Sequence, residues 1–286
     1  MTDTPIQHVT DTAIWVAAYR AWETKRPDAL FQDPLADRLV GESGHALARQ
    51  MFEHGSVAWA VVIRTCLIDD FVRTLVAEGV DTVLNLGAGL DSRPYRLPLP
   101  PSLQWIEVDY PRLIEFKEDR LRTEKPVCQL RRVKMDLSDR ADRLRLFEEV
   151  NASAKKVLVL TEGVVPYLSN TASAELADDL RGMDSFQFWA LDYLSPYLMK
   201  YFARGRIARR LRHAPFQFNP ENWVQFFAER RWPVRDFRYM GEEAVRLKRP
   251  YPFLWLVRIL LRFAPPQRRQ AMQRMSGFVL LEARPS

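Results

Sequence analysis

The chain is poor in the residues that metal centres and disulfide scaffolds require. Its 286 residues include two cysteines, Cys66 and Cys128, which lie far apart in apolar company and show no ligand spacing. They read as reduced core residues, so a disulfide framework and a zinc site are both disfavoured. The four histidines, His8, His45, His54 and His213, pair with no cysteine or acid at metal-binding intervals. There is no Gly-x-Ser-x-Gly elbow, which argues against a serine hydrolase of the α/β type. The opening Met1-Thr2-Asp3-Thr4-Pro5 lacks the basic start and apolar stretch of an export signal, and a cytoplasmic protein is expected. No run is long and apolar enough to cross a bilayer: residues 252–263 are apolar but short and carry charge. Nothing repeats, and no segment is of low complexity.

What is present is enough apolar sequence, 47%, for one large core, so a single elaborated domain is expected. The net charge of +6 hides an asymmetry. Residues 199–275 hold 18 Lys and Arg against 5 Asp and Glu, which leaves the rest mildly acidic. The densest run, residues 204–212, fits a solvated helix, an acidic substrate, a nucleic acid or an anionic membrane.

The most informative segment is Thr82-Val83-Leu84-Asn85-Leu86-Gly87-Ala88-Gly89-Leu90-Asp91-Ser92-Arg93, a β-type run that breaks into a glycine turn. Gly87 and Gly89 permit a sharp turn and close approach of a ligand at the carboxyl end of a strand. About 20 residues on, a second apolar run ends in Asp109, the spacing of an acid that meets a ribose diol. Asp109 could equally cap the helix that Pro111 opens. Two more runs follow: residues 127–134, a mixed run that can form a strand, lead into Asp136-Leu137, and the plainer Lys156-Val157-Leu158-Val159-Leu160 leads into Thr161-Glu162-Gly163. In open α/β sheets, strand ends in this order converge on one crevice.

A dinucleotide fingerprint would place a third glycine at Ser92, and Asp91 sits where a pyrophosphate would be repelled. A cationic, phosphate-free nucleoside such as S-adenosylmethionine suits the loop better. Asp136 then offers a carboxylate to the adenine amino group, and Leu137 an apolar contact to its face. Strands are also expected at Phe186 to Asp192, Trp232 to Tyr239 and Gly277 to Ala283, the last antiparallel. The intervening residues 195–219 and 241–276 are too long for ordinary connections and read as lids. Residues 252–263 would line a substrate pocket, pack in a homodimer or lie on a membrane surface.

The segments around Gly87 to Arg93, Glu107-Val108-Asp109-Tyr110-Pro111, Asp136-Leu137 and Thr161-Glu162-Gly163-Val164-Val165-Pro166-Tyr167-Leu168 resemble the leucine carboxyl methyltransferase family, whose bacterial branch includes polyketide O-methyltransferases of the tetracenomycin type. The resemblance extends from about Asp11 to Leu194. It implies a Rossmann-like class I methyltransferase fold, α/β, with a mostly parallel seven-stranded sheet. A helical cap over residues 1–78, a cofactor core over 79–194 and lid insertions with the last strands over 195–286 would follow.

It also implies that S-adenosylmethionine is held by Gly87 and Gly89, by Asp109 at the ribose, by Asp136 and Leu137 at adenine, and by Glu162 beside the methionine moiety. Arg64 matches an arginine that pairs with the cofactor carboxylate, a task suited to a forked guanidinium. Tyr167 matches a tyrosine near the reacting centre that would orient the acceptor, while Tyr19 and Arg20 match a segment that closes the site. Packing of α-helical aromatics on the sheet explains Tyr19 as well, and Arg93 reads as a brace for the loop. The activity implied is O-methylation of a small acceptor, anionic or aromatic, on a carboxylate or a phenolic hydroxyl. A carboxylate needs no general base, whereas a phenol with a pKa near about 10 benefits from one. A nucleic-acid methyltransferase and a cofactor-binding module without catalysis are the rival readings.

Overall fold

In the computed structural model of this protein, residues 9–51, 56–202, 215–251 and 265–283 are described. The chain opens with three helices, α1 (Val9–Thr24), α2 (Pro34–Met51) and α3 (Ser56–Ala77). Strands and helices then alternate: β1 (Thr82–Leu86), α4 (Arg93–Arg96), β2 (Gln104–Asp109), α5 (Pro111–Arg120), β3 (Gln129–Lys134), α6 (Arg140–Ser153) and β4 (Val157–Thr161). A 3-10 turn at Val165–Tyr167 leads to α7 (Asn170–Arg181), β5 (Phe186–Leu194) and α8 (Pro196–Phe202). The carboxyl-terminal part supplies α9 (Trp223–Ala228), β6 (Val234–Tyr239), α10 (Met240–Arg246), α11 (Pro266–Gln273) and β7 (Ser276–Glu282).

The sheet order is β3-β2-β1-β4-β5-β7-β6, parallel except for β7, which runs antiparallel to both β5 and β6. All seven expected strands are present. The order reverses between β1 and β4, so the crevice for a ligand opens over their carboxyl ends. Both faces of the central strands are covered, which is why they read as continuous apolar runs rather than alternating ones. In β1, Val83 faces α3 with Leu67 and Phe71, while Leu84 and Leu86 face the opposite layer with Phe147 of α6 and Leu176 of α7. Trp189 and Trp232 are fully buried in that second layer, their rings 5.7 Å apart at 73°. The two indole N–H groups donate to Thr161 Oγ1 and to the Ala177 carbonyl, so neither large ring leaves a buried donor unsatisfied.

Two boundaries differ from expectation. The helix after β2 is capped by Tyr110, with Pro111 in its first turn, so Asp109 is not its cap residue. The segments expected as lids are described only in part: residues 203–214 and 252–264, which include the whole of the basic run 204–212 and of the apolar segment 252–263, lie outside the described residues.

Charge is also sealed inside the sheet. Lys117 of α5 and Glu107 of β2 are both fully buried, with Nζ and Oε1 2.8 Å apart, and Arg132 Nε donates to the other Glu107 oxygen at 3.0 Å. Replacing Lys117 with Met should lower stability by about 3–5 kcal/mol, the cost of leaving a buried carboxylate short of one partner. Urea denaturation of both proteins measures it; a loss under about 1 kcal/mol would show that Arg132 alone suffices.

Candidate functional site

The carboxyl ends of β3, β2, β1, β4 and β5 each deliver one acid to the same edge: Asp136, Asp109, Asp91, Glu162 and Asp192. The glycine turn after β1 has φ of +70° at Gly87 and +51° at Gly89, and Gly163 after β4 has +69°. A Cβ on Gly87 would stand 2.5 Å from Val164 Cγ2. The glycine is therefore required both by backbone conformation and by the closeness of the β4 turn.

Asp109 is buried and holds the glycine turn: its Oδ2 accepts the Gly89 N–H at 2.7 Å, and its Oδ1 accepts the Tyr110 N–H at 2.8 Å. Burial raises its pKa above the ordinary carboxylate range, and the two N–H donors oppose that rise. Each oxygen keeps lone-pair capacity for a hydroxyl. Asp136 is exposed and accepts the Ser138 N–H at 2.9 Å, while Leu137 is half-buried beside it.

Asp91 has a different role from the one its position suggested. It is buried, with its charge met inside the loop. Its Oδ1 accepts the Arg93 N–H at 2.9 Å, and its Oδ2 takes Asn85 Nδ2 and Arg93 Nη1, both at 2.9 Å. Despite burial, the Arg93, Lys117 and Arg20 charges hold its pKa far below the usual range. A pyrophosphate is thus disfavoured less by bare repulsion than by occupancy. The helix after the turn has four residues, its first N–H is already taken by Asp91, and Ser92 Oγ donates to Asp33 at 2.6 Å where a third glycine would leave room.

Arg93 is the centre of the site. It is 1% exposed, and its Nε donates to Asp69 of α3 at 2.8 Å, while Nη1 reaches Asp91 and Glu162 at 2.9 Å each. Glu162 in turn places Oε1 2.8 Å from Arg64 Nε. Burial alone would raise the pKa of Glu162, but Arg64 and Arg93 bring it below its ordinary value. Arg64 sits in the first half of α3, which the contact with Glu162 sets over the strand carboxyl ends. Its Nη1 lies 3.9 Å from Asp192 Oδ1.

Asp192 escaped the sequence reading as a site residue, although it stands near the carboxyl end of an apolar strand. It is 7% exposed, and its Oδ2 accepts the Gly163 N–H at 2.6 Å. Burial pushes its pKa up to about 6, with Arg64 opposing.

Arg20 and Tyr19, expected either at the roof of the site or packed in the helical layer, are both buried. Arg20 is buried, with Nε on Asp33 at 2.9 Å and Nη2 on the Leu90 carbonyl at 2.5 Å, so its donors tie α1 to the cofactor turn. Tyr19 packs with Trp15, Leu39 and Leu90, edge-on to Trp22, and its buried hydroxyl has no hydrogen-bond partner among the described residues. Burial pushes that hydroxyl up to about 12. Tyr167 is only partly buried, and its ring lies 4.9 Å from Phe216, which lies 5.2 Å from Phe202. Its hydroxyl is also pushed up to about 12 by burial, against the pull of Arg64.

Residues 13–181 match the family model of the leucine carboxyl methyltransferases. The chain belongs to that family. A relative from Mycobacterium sp. (strain KMS) named "Putative S-adenosyl-L-methionine-dependent methyltransferase" is 32% identical, the match covering 85% of this chain and 89% of the relative. A protein of the same name from Mycobacteroides abscessus is 34% identical over 59% of this chain and 60% of its own length. In fold, the chain is similar to the crystal structure of a DUF574 family protein from Streptomyces avermitilis, with a TM-score of 0.57 and 14% identity, covering 94% of this chain and 97% of that one. By family and fold it is a class I methyltransferase dependent on S-adenosylmethionine.

The site fits that cofactor: two left-handed glycines beside a buried acid leave backbone access where a Cβ would intrude. Gly87→Ala should weaken S-adenosylmethionine binding at least tenfold and lower stability by about 1–2 kcal/mol, the strain of a left-handed alanine. Calorimetry and thermal melting check the pair of effects; native affinity would show that the turn relaxes freely.

Proposed function

We propose that this protein transfers the methyl group of S-adenosylmethionine to a carboxylate or phenolic oxygen of a small, aromatic or anionic acceptor. The observation that carries the proposal is the ordered row of acids at the strand ends, with Arg64 and the glycine turn at its centre. Asp109 would take the ribose hydroxyls, Asp136 and Leu137 the adenine, and Arg64, held by Glu162, the cofactor carboxylate. When bound, the cofactor supplies an electrophilic methyl group; the chain's contribution is alignment and exclusion of water.

Tyr167 is the best candidate to orient the acceptor. With its hydroxyl held neutral far above pH 7, it can donate a hydrogen bond to an acceptor oxygen but cannot serve as a base. The partly exposed rings of Phe216 and Phe202 extend the same wall, which suits a planar acceptor. The basic carboxyl-terminal third supports a nucleic-acid surface less than its composition suggests. Arg235, Arg238, Arg246 and Arg249 pair with Glu78, Asp70, Asp70 and Glu23 of the amino-terminal part, and Arg274 pairs with Glu242. Among the described residues, no helix is long and apolar enough to cross a membrane.

Titration with S-adenosylmethionine, S-adenosylhomocysteine and NAD, followed by a methyl-transfer screen over carboxylic acids and phenols, tests the reading. The adenosyl ligands should bind and NAD should not; tight NAD binding with no adenosyl response would sink it. In the same assay, Asp109→Ala should weaken S-adenosylmethionine by about 1.5–3 kcal/mol, the value of hydrogen bonds to a charged acceptor. An unchanged affinity in a folded variant would reduce Asp109 to a brace of the turn.

A further inference from the structure

We propose that Asp192, rather than Glu162, receives the α-ammonium group of the cofactor, so that Arg64 and Asp192 together clasp the methionine zwitterion. The inference rests on the methyltransferase reading above and assigns a residue that neither the family motifs nor the strand pattern singled out.

Geometry separates the two acids. Both oxygens of Glu162 face guanidinium groups: Oε2 accepts a hydrogen bond from Arg93 Nη1 at 2.9 Å, and Oε1 stands 2.8 Å from Arg64 Nε in an ion pair that lacks hydrogen-bond geometry. An ammonium arriving there would meet two cations around one carboxylate. Asp192 has one oxygen on the Gly163 N–H, and across from its Oδ1 stands Arg64 Nη1 at 3.9 Å, too far for a hydrogen bond. Arg64 turns its Nε edge to Glu162 as an ion pair without a hydrogen bond, and its outer nitrogens are left for a carboxylate. A guanidinium and a buried carboxylate standing side by side, each with unused capacity, match the two charges of an α-amino acid. Position in the sheet agrees: β5 lies beyond β4 on the side away from β2 and β3, where Asp109 and Asp136 would hold the adenosine.

Charge in the network points the same way. The linked groups are Asp33, Asp69, Asp91, Glu162 and Asp192 against Arg20, Arg64, Arg93 and Arg96, one carboxylate in excess. Asp192, at its end, is the member least compensated by cations, and burial raises its pKa to about 6. The groups that face it are Arg64 from α3, Glu162 and the Gly163 N–H from the end of β4, and Tyr167 from the 3-10 turn. From β7 its partner is the apolar Phe278. Tyr167 stays protonated and Glu162 stays ionised across pH 5 to 7, so Asp192 is the group here that changes charge in that window.

The sign follows. Asp192 is anionic above about pH 6 and neutral below it, whereas an α-ammonium stays protonated up to about pH 7.7. Affinity should therefore fall as the pH drops from 7.0 to 5.0. Calorimetry on the full chain with S-adenosylmethionine, S-adenosylhomocysteine and 5′-methylthioadenosine, which has no amino-acid moiety, provides the test. The wild type should bind the first two about tenfold more weakly at pH 5.0 than at pH 7.0, and the third equally at both. Asp192→Asn keeps an acceptor for the Gly163 N–H but loses the charge. It should weaken both amino-acid ligands about tenfold at pH 7.0, abolish their pH dependence and leave 5′-methylthioadenosine unchanged. Glu162→Gln should retain the pH dependence. Wild-type affinity in Asp192→Asn, equal loss for all three ligands, or a pH response confined to S-adenosylmethionine would each overturn the proposal. Failure of the wild type to bind any of the three would instead overturn the methyltransferase reading.

Discussion

Arg93 is the residue on which the site depends. One guanidinium, shut away from water, joins the loop after β1, the helix α3 and the end of β4 through Asp91, Asp69 and Glu162. A buried cation is tolerable only when carboxylates surround it in good geometry, and removal of one partner strands the others. The planar fork of arginine presents its donors in fixed directions, so one side chain orients Asp69, Asp91 and Glu162 relative to one another, whereas the rotatable donors of a lysine ammonium impose no such plane. The acids are held ionised by the same contact: Asp91 and Glu162 both lie below their ordinary range although burial works against them. The rigidity of the cofactor turn therefore comes from charge pairing as much as from the glycines.

The network continues outward from Arg93 on both sides. Asp69 receives Arg96 as well, Asp33 receives Arg20 and Ser92, and Arg20 reaches the Leu90 carbonyl. The amino-terminal helices are thus fastened to the glycine turn by ionic and hydrogen-bonded contacts as well as by the apolar cluster around Trp15, Leu39 and Leu90. The arginines of the carboxyl-terminal third do similar work at the other edge of the sheet, where Arg249 meets Glu23 and Arg235 meets Glu78. Among the described residues, four of the late arginines, Arg235, Arg238, Arg246 and Arg249, meet acids of the amino-terminal part in this way.

Much of the fold was legible because its signals are local. The central strands announce themselves as short apolar runs, continuous because both sheet faces are covered there, whereas the edge strands β3 and β6 are mixed. The positive φ of Gly87 and Gly89 follows from chemistry available in two residues. Asp109 was legible as a site residue because spacing from the glycine turn is a one-dimensional quantity; its part in holding that turn through the Gly89 N–H was not. The partners of Asp91 were not legible for the same reason. Its neighbours in sequence suggest exposure to a ligand, while its neighbours in space, Arg93 and Asn85, absorb its charge.

The sequence by itself determined the class of fold, the order of strands along the chain, the glycine turn and the succession of acids after each strand, because these depend on periodicity and backbone freedom within a few residues. Only the tertiary structure decided what each charge does. Arg20 ties α1 to the cofactor turn, Arg93 is a hub, Glu162 is a carboxylate set between two arginines, and Asp192 is a buried acid with one oxygen on the Gly163 N–H. The physical reason is that a charge takes its meaning from partners within a few ångströms and from exclusion of water. Here those partners come from α1, α3, β4 and β5, segments separated by tens of residues and brought together only when the sheet closes.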